Sequence, residues 1–173
     1  VTWQQMLNFI RGVGGVNMFC RQHGFKLRIV DVGVDYDLSG VPGIINRKIA
    51  RGTRNFLHEP AMSEAEFDKA ILTGSQLADD CMAEGCRVLS IGEMGIANTS
   101  PSSIWMHLFG DIPLKDCIGA GAGLSNEGIR HKYEILSKAV ENFTLANPHF
   151  SPEEAIRYFG ESKIGRASCR ERV

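Results

Sequence analysis

Residues 26–34 read KLRIVDVGV, and residues 87–91 read RVLSI directly before Gly92-Glu93-Met94-Gly95. Both are short, compact apolar runs without alternation, the pattern of strands buried on two faces, as in a parallel sheet. Asp31 and Gly33 mark the end of the first run. Working outward, residues 2–23 place Trp3, Met6, Leu7 and Ile10, then Val13, Val16, Met18 and Phe19, at helical spacing. Gly12, Gly14 and Gly15 interrupt that spacing, which predicts two short helices joined at a bend, the second stopped by Gly24. Residues 36–55 are loop-rich around Pro42, with a short strand predicted near 44–49. Ser63 followed by Glu66 is a capping box opening a helix over 64–84, with Phe67, Ile71, Leu77, Ala78 and Met82 on its buried face.

Residues 102–109 are apolar and helical after Pro101, and residues 116–123 contain the glycine run GAGAG. From Ser125 an amphipathic helix is predicted to about Asn142 through Ile129, Tyr133, Leu136 and Val140. Ser151-Pro152 opens a last one, with proline at the first helical position. Helices alternating with strands across short connections predict a parallel α/β sheet. Such sheets bind ligands beyond the carboxyl ends of their strands, where DVGVD and IGEMG lie.

The composition, 43% hydrophobic and 23% charged over 173 residues, is that of one soluble globular domain. No apolar run approaches the roughly 20 residues of a membrane-spanning helix. Residues 1–9 lack the charged head and apolar stretch of a signal peptide, although the chain does not begin with Met. Five cysteines with no CxxC and no zinc-like spacing predict reduced thiols, a cytoplasmic setting and no metal site. A net charge of −1 gives no field to attract nucleic acid or an anionic membrane. The last ten residues, 164–173, read IGRASCRERV and match a reading frame of a sequencing-library adapter. They are read as a non-native tail behind a partial large α/β domain spanning 1–163, and without them the net charge is −3.

Three constellations bear on chemistry. In SIGEMGIANTSP, residues 90–101, a strand ends, glycines let backbone approach a ligand, and Asn98-Thr99-Ser100 precede a helix whose N-terminus favours an anion. A carboxylate is ill-suited to phosphate, so Glu93 there suits a base, a sugar hydroxyl or a proton in transit. The same string also reads as a glycine turn with a solvated Glu and a capping Asn or Thr. GAGAGL lacks the spacing of a dinucleotide fingerprint, but a glycine turn before a helix carrying Lys132 suits a phosphate with the lysine as point charge. A solvated helix lysine explains Lys132 as well. Gln5 and Asn8, three apart on one helix face, suit the edge of a heterocycle or simply form a polar face.

Taken in order, NFIRGVGG, IVDVGVD, VPGIINRKIARGTRN, PAMS, IGEMGIANTSP and the GAGAGL turn ending in Lys132 resemble the nicotinate-nucleotide–dimethylbenzimidazole phosphoribosyltransferase family over about residues 1–147. The resemblance implies transfer of 5-phosphoribosyl from nicotinate mononucleotide to 5,6-dimethylbenzimidazole. The products would be α-ribazole 5′-phosphate and nicotinate, a step of cobalamin lower-ligand assembly, with inversion at the anomeric carbon. It implies an α/β fold, a Rossmann-like parallel sheet with flanking helices, here truncated at both ends, and a homodimer when complete. It implies no metal and no organic cofactor. By position, Gln5 matches the helix residue lining the benzimidazole pocket, and Glu93 matches the active-site glutamate near the base. Gly95, Asn98 and Thr99 would bound the nucleotide site, and Lys132 matches the lysine approaching the phosphoribosyl group. The family's principal general-base glutamate is expected in a glycine-rich motif beyond this chain, and a Cys-Ala-Asp-His-type motif ahead of Val1. The isolated chain is therefore expected to be inactive.

Two alternatives share the pattern. A nucleotide-binding Rossmann-like module, non-catalytic or of other specificity, would keep the glycine turns and lack selectivity for a benzimidazole. An interaction protein would not bring Gln5, Glu93 and Lys132 together around a small molecule.

Overall fold

Asn17 determines how the chain opens. In the computed structural model, which describes residues 1–94, 98–121 and 123–160, α1 (Thr2–Ile10) ends at Arg11 and α2 (Gly15–His23) begins after Gly14. The Asn17 amide donates to the Phe9 carbonyl at 2.9 Å, and its oxygen accepts from the Gly14 N–H at 3.1 Å. Gly14 is required there, since a Cβ would sit 2.6 Å from the Phe9 ring. Gly24 ends α2 in the left-handed region, as its position after the helix predicts.

The chain divides into two compact units, Val1–Gly52 and Thr53–Val173. In the first, β1 (Ile29–Asp31) pairs in parallel with β2 (Ile44–Asn46), with Ile29 opposite Ile44 and Asp31 opposite Asn46. Parallel neighbours need a crossover of about a dozen residues, commonly a helix. Residues 32–43 make it as a loop, pinned by the buried Leu38. Three further bonds, from the N–H groups of Arg47, Ile49 and Gly52 to the carbonyls of Asp31, Val32 and Gly33, carry the two segments on side by side.

The second unit is helical in its described residues. α3 (Glu64–Ala83) starts at the predicted capping box: Ser63 Oγ accepts from the Glu66 N–H at 3.2 Å, and Glu66 accepts from the Ser63 N–H at 2.7 Å. α4 (Thr99–Gly110) packs against α5 (Leu114–Cys117), α6 (Asn126–Ala146) and α7 (Pro152–Phe159). Ile104, Leu114, Leu136, Ala139, Val140, Phe143, Ala155 and Phe159 form its core. Phe143 lies at the centre of an aromatic group, with ring centroids 5.0 Å from Phe150, 4.7 Å from Tyr158 and 5.0 Å from Phe159. α7 is tied back by bonds from the Ala61 and Met62 N–H groups to the carbonyls of Tyr158 and Arg157.

Three expectations change. The strand predicted over 26–34 contracts to Ile29–Asp31, and 87–91 forms no strand among the described residues, with Val88 77% exposed. A strand's bonds come from a neighbour, and an apolar run does not specify one. The buried face of α3 is Ala70, Thr73, Gly74, Ala78 and Cys81 rather than the larger side chains, with Met82 exposed. In α6, Leu136 and Val140 are buried as expected, but the face continues to Ala139 and Phe143, leaving Tyr133 exposed. The fold is thus a mixed α/β arrangement with a small parallel sheet.

Candidate functional site

The start of α4 gathers four of the residues that the sequence singled out. Asn98 is its N-cap, yet its side chain does not cap the helix. Its amide donates instead to Glu93 Oε2 at 2.5 Å. The next residue, Thr99, accepts at Oγ1 from Lys132 Nζ at 2.8 Å, a bond joining the first turn of α4 to α6 across 33 residues of sequence. Glu93, Asn98, Thr99 and Lys132 therefore form a polar row along one helix N-terminus.

Each member has local support. Ser125 Oγ caps α6 by accepting from the Gly128 N–H at 3.2 Å, which sets the helix that carries Lys132. Ser103 Oγ lies 2.9 Å from the Thr99 carbonyl and 2.8 Å from that of Cys117, so one buried hydroxyl ties the opening turn of α4 to α5. Gly121 has φ +55°, and a Cβ there would stand 3.3 Å from Thr99 Oγ1. The glycine run thus lets its backbone come close to the threonine that Lys132 touches. The run stands out in the sequence by its glycines; Ser103 does not, because its partners are backbone carbonyls that no spacing reveals.

The electrostatics suit an anion. Burial pushes the Lys132 ammonium below the usual lysine range, because desolvation disfavours its charged form. An arriving anion would reverse that. A helix leaves its first N–H groups without intrahelical partners, and Pro101 has none to offer, so Thr99 and Ser100 present theirs at this end.

Gln5 lies on α1 of the first unit, where its Oε1 accepts from Asn8 Nδ2 at 3.2 Å. The two amides are thus paired on one face, as their spacing predicts. Gly95 lies outside the described residues, as does the tail 164–173. Among the described residues no group of three or more His, Cys, Asp or Glu is placed to hold a metal ion, and no helix is long and apolar enough to cross a membrane.

Comparison with known proteins decides the family. A family model described as phosphoribosyltransferase matches residues 1–168. The curated nicotinate-nucleotide–dimethylbenzimidazole phosphoribosyltransferase of Bacteroides fragilis (strain ATCC 25285) is 53% identical over 160 residues, 92% of this chain and 46% of that protein. The chain belongs to the nicotinate-nucleotide–dimethylbenzimidazole phosphoribosyltransferase family. Its relative from Ralstonia nicotianae is 45% identical over 95% of this chain and 46% of its own length. A crystal structure of CobT from Thermus thermophilus superposes with a TM-score of 0.87 at 31% identity, covering 97% of this chain and 50% of that one. The chain spans about half the length of the members of this phosphoribosyltransferase family that it matches.

Proposed function

We propose that the complete protein transfers 5-phosphoribosyl from nicotinate mononucleotide to 5,6-dimethylbenzimidazole, and that the start of α4 is part of its active site. The observation behind this reading is the polar row itself: a carboxylate, an amide, a hydroxyl and a partly desolvated ammonium at one helix N-terminus. Lys132 with the Thr99 and Ser100 N–H groups suits the phosphoribosyl phosphate. Asn98 and Thr99 with Gly95 bound the nucleotide, and Gln5 lines the acceptor base.

In the reaction, one azole nitrogen of the benzimidazole attacks the anomeric carbon on the face opposite nicotinate. The bond to the pyridinium nitrogen breaks, its electron pair returns to that nitrogen and neutralises the ring, and nicotinate leaves with its carboxylate unchanged. The proton on the second azole nitrogen must then go to a base. Glu93, held by Asn98, is a catalytic residue suited to support that removal. The principal general base is expected in the portion of the complete protein outside this chain, so the chain alone transfers nothing. No organic cofactor or metal enters the scheme. The wider reading has a homodimeric cytoplasmic enzyme with a larger Rossmann-like sheet, of which residues 1–163 form a truncated part and 164–173 a non-native tail.

Ligand selectivity separates this reading from a generic nucleotide-binding module. Calorimetric titration of the complete protein should show saturable binding of both nicotinate mononucleotide and dimethylbenzimidazole, with adenosine monophosphate much weaker. Equal binding of the two nucleotides without benzimidazole binding would support the module instead.

A further inference from the structure

The end of β1 closes around a lysine. Asp31 is the last residue of that strand, and its side chain is fully buried. Its Oδ1 accepts from the Gly33 N–H at 3.1 Å and the Val34 N–H at 2.9 Å, turning the chain as it leaves the sheet. Lys48, just past β2, brings its Nζ to 2.9 Å from Asp31 Oδ2. The same ammonium donates to the Val34 carbonyl at 2.6 Å and to the Tyr36 carbonyl at 2.5 Å. The two carbonyls take hydrogen bonds while Asp31 Oδ2 stands as the ion-pair partner, an arrangement that suits the compact charge of an ammonium better than a planar guanidinium.

Charge compensation alone does not account for this arrangement. A buried carboxylate needs a cation, but it does not need that cation to reach carbonyls three and five residues further along the chain. Lys48 therefore binds the loop 32–36 as well as the acid. The bound stretch includes Tyr36, whose ring stacks on Trp3 with centroids 4.8 Å apart and planes 16° from parallel. Trp3 lies in the first turn of α1, the helix bearing Gln5 and Asn8.

We propose that Lys48 is a positioning residue whose ammonium fixes the loop leaving β1 and, through the Tyr36–Trp3 stack, the setting of α1 and its Gln5–Asn8 amide pair. The consequence for aromatic-heterocycle binding rests on Gln5 lining the acceptor site, as proposed above.

The test compares the chain with two variants, Lys48→Met and the double variant Asp31→Asn/Lys48→Met. The double variant leaves no uncompensated charge, while the oxygen of the introduced amide keeps an acceptor for Gly33 and Val34. It therefore remains informative if Lys48→Met does not fold. Indole N–H resonances report the two tryptophans separately, with Trp105, in the second unit, as the internal control. In the double variant the Trp3 indole signal should move away from its stacked position while that of Trp105 stays. Dimethylbenzimidazole titrated into the chain should bind about ten-fold more weakly, because a preorganised site has lost its setting. A Trp3 signal that returns to the wild-type position in the double variant would overturn the proposal, since Lys48 would then serve only to neutralise Asp31. A displaced Trp3 signal in a chain that binds no benzimidazole in any form would uphold the positioning role and remove the acceptor-site reading of Gln5.

Discussion

Replacing Glu66 with glutamine should cost stability in a way that depends on pH. Glu66 accepts from the Ser63 N–H at 2.7 Å and is paired with the Arg54 guanidinium through both terminal nitrogens. Arg54 also donates to the Pro60 carbonyl at 3.1 Å, so the pair closes the loop before α3. The hydrogen bond from Arg54, then that from the Ser63 backbone, hold the Glu66 carboxyl down to about 2 from an ordinary 4.5, against the opposing effect of burial. At about 1.36 kcal/mol per pH unit, that gap sets a ceiling of about 3.4 kcal/mol.

The side chains of Arg54 and Glu66 are 37% and 25% exposed, so solvent screening lowers the expected contribution to about 1–2 kcal/mol. Because the folded-state pKa is depressed, the stabilisation is complete above 4.5 and is lost as pH falls from there towards 2. Glu66→Gln keeps the size and an acceptor for Ser63 but removes the charge. Urea unfolding followed by circular dichroism should show the variant less stable by about 1–2 kcal/mol near neutral pH, with the gap closing as the medium is acidified. A gap unchanged down to about pH 2.5, or no gap at neutral pH, would refute the reasoning.

Other outcomes follow from the same structure. Phe143→Ala empties the centre of the aromatic group and should cost about 3–5 kcal/mol in the same unfolding experiment. Lys132→Ala should weaken nicotinate mononucleotide binding by about ten- to hundred-fold, as for loss of one charged hydrogen bond, while leaving the unfolding midpoint nearly unchanged. In the wild-type protein, the Lys132 ammonium, depressed by burial, should titrate at higher pH once the nucleotide is bound; lysine-selective nuclear magnetic resonance reads both states.

Local chemistry was the legible part of the sequence. Ser63, Ser125 and Ser151 cap the helices they precede because a hydroxyl at the right spacing, joined by a carboxylate at Glu66 and Glu154, satisfies N–H groups within one turn. Gly24 stops α2 for an equally local reason. The second strand candidate, 87–91, has no ladder among the described residues, because an apolar run specifies its own extension and not its partner. α5 went unpredicted because Leu114–Cys117 is a single turn, too short to show a period. At the site, the string holding Glu93, Asn98 and Thr99 stood out by residue type, and the family pattern singled out Lys132. Their bonds did not, since Lys132 reaches Thr99 only through the packing of α6 beside α4. Lys48 was harder still: nothing in RKIAR distinguishes a lysine that ends against Asp31 from one in water.

The most direct test of the account is product formation by the complete protein, assayed beside this chain with nicotinate mononucleotide and dimethylbenzimidazole. The complete protein should release nicotinate and α-ribazole 5′-phosphate in equal amounts, Glu93→Gln should slow it, and the chain alone should form neither product. A complete protein that binds nicotinate mononucleotide yet transfers nothing to the benzimidazole would contradict the proposed chemistry.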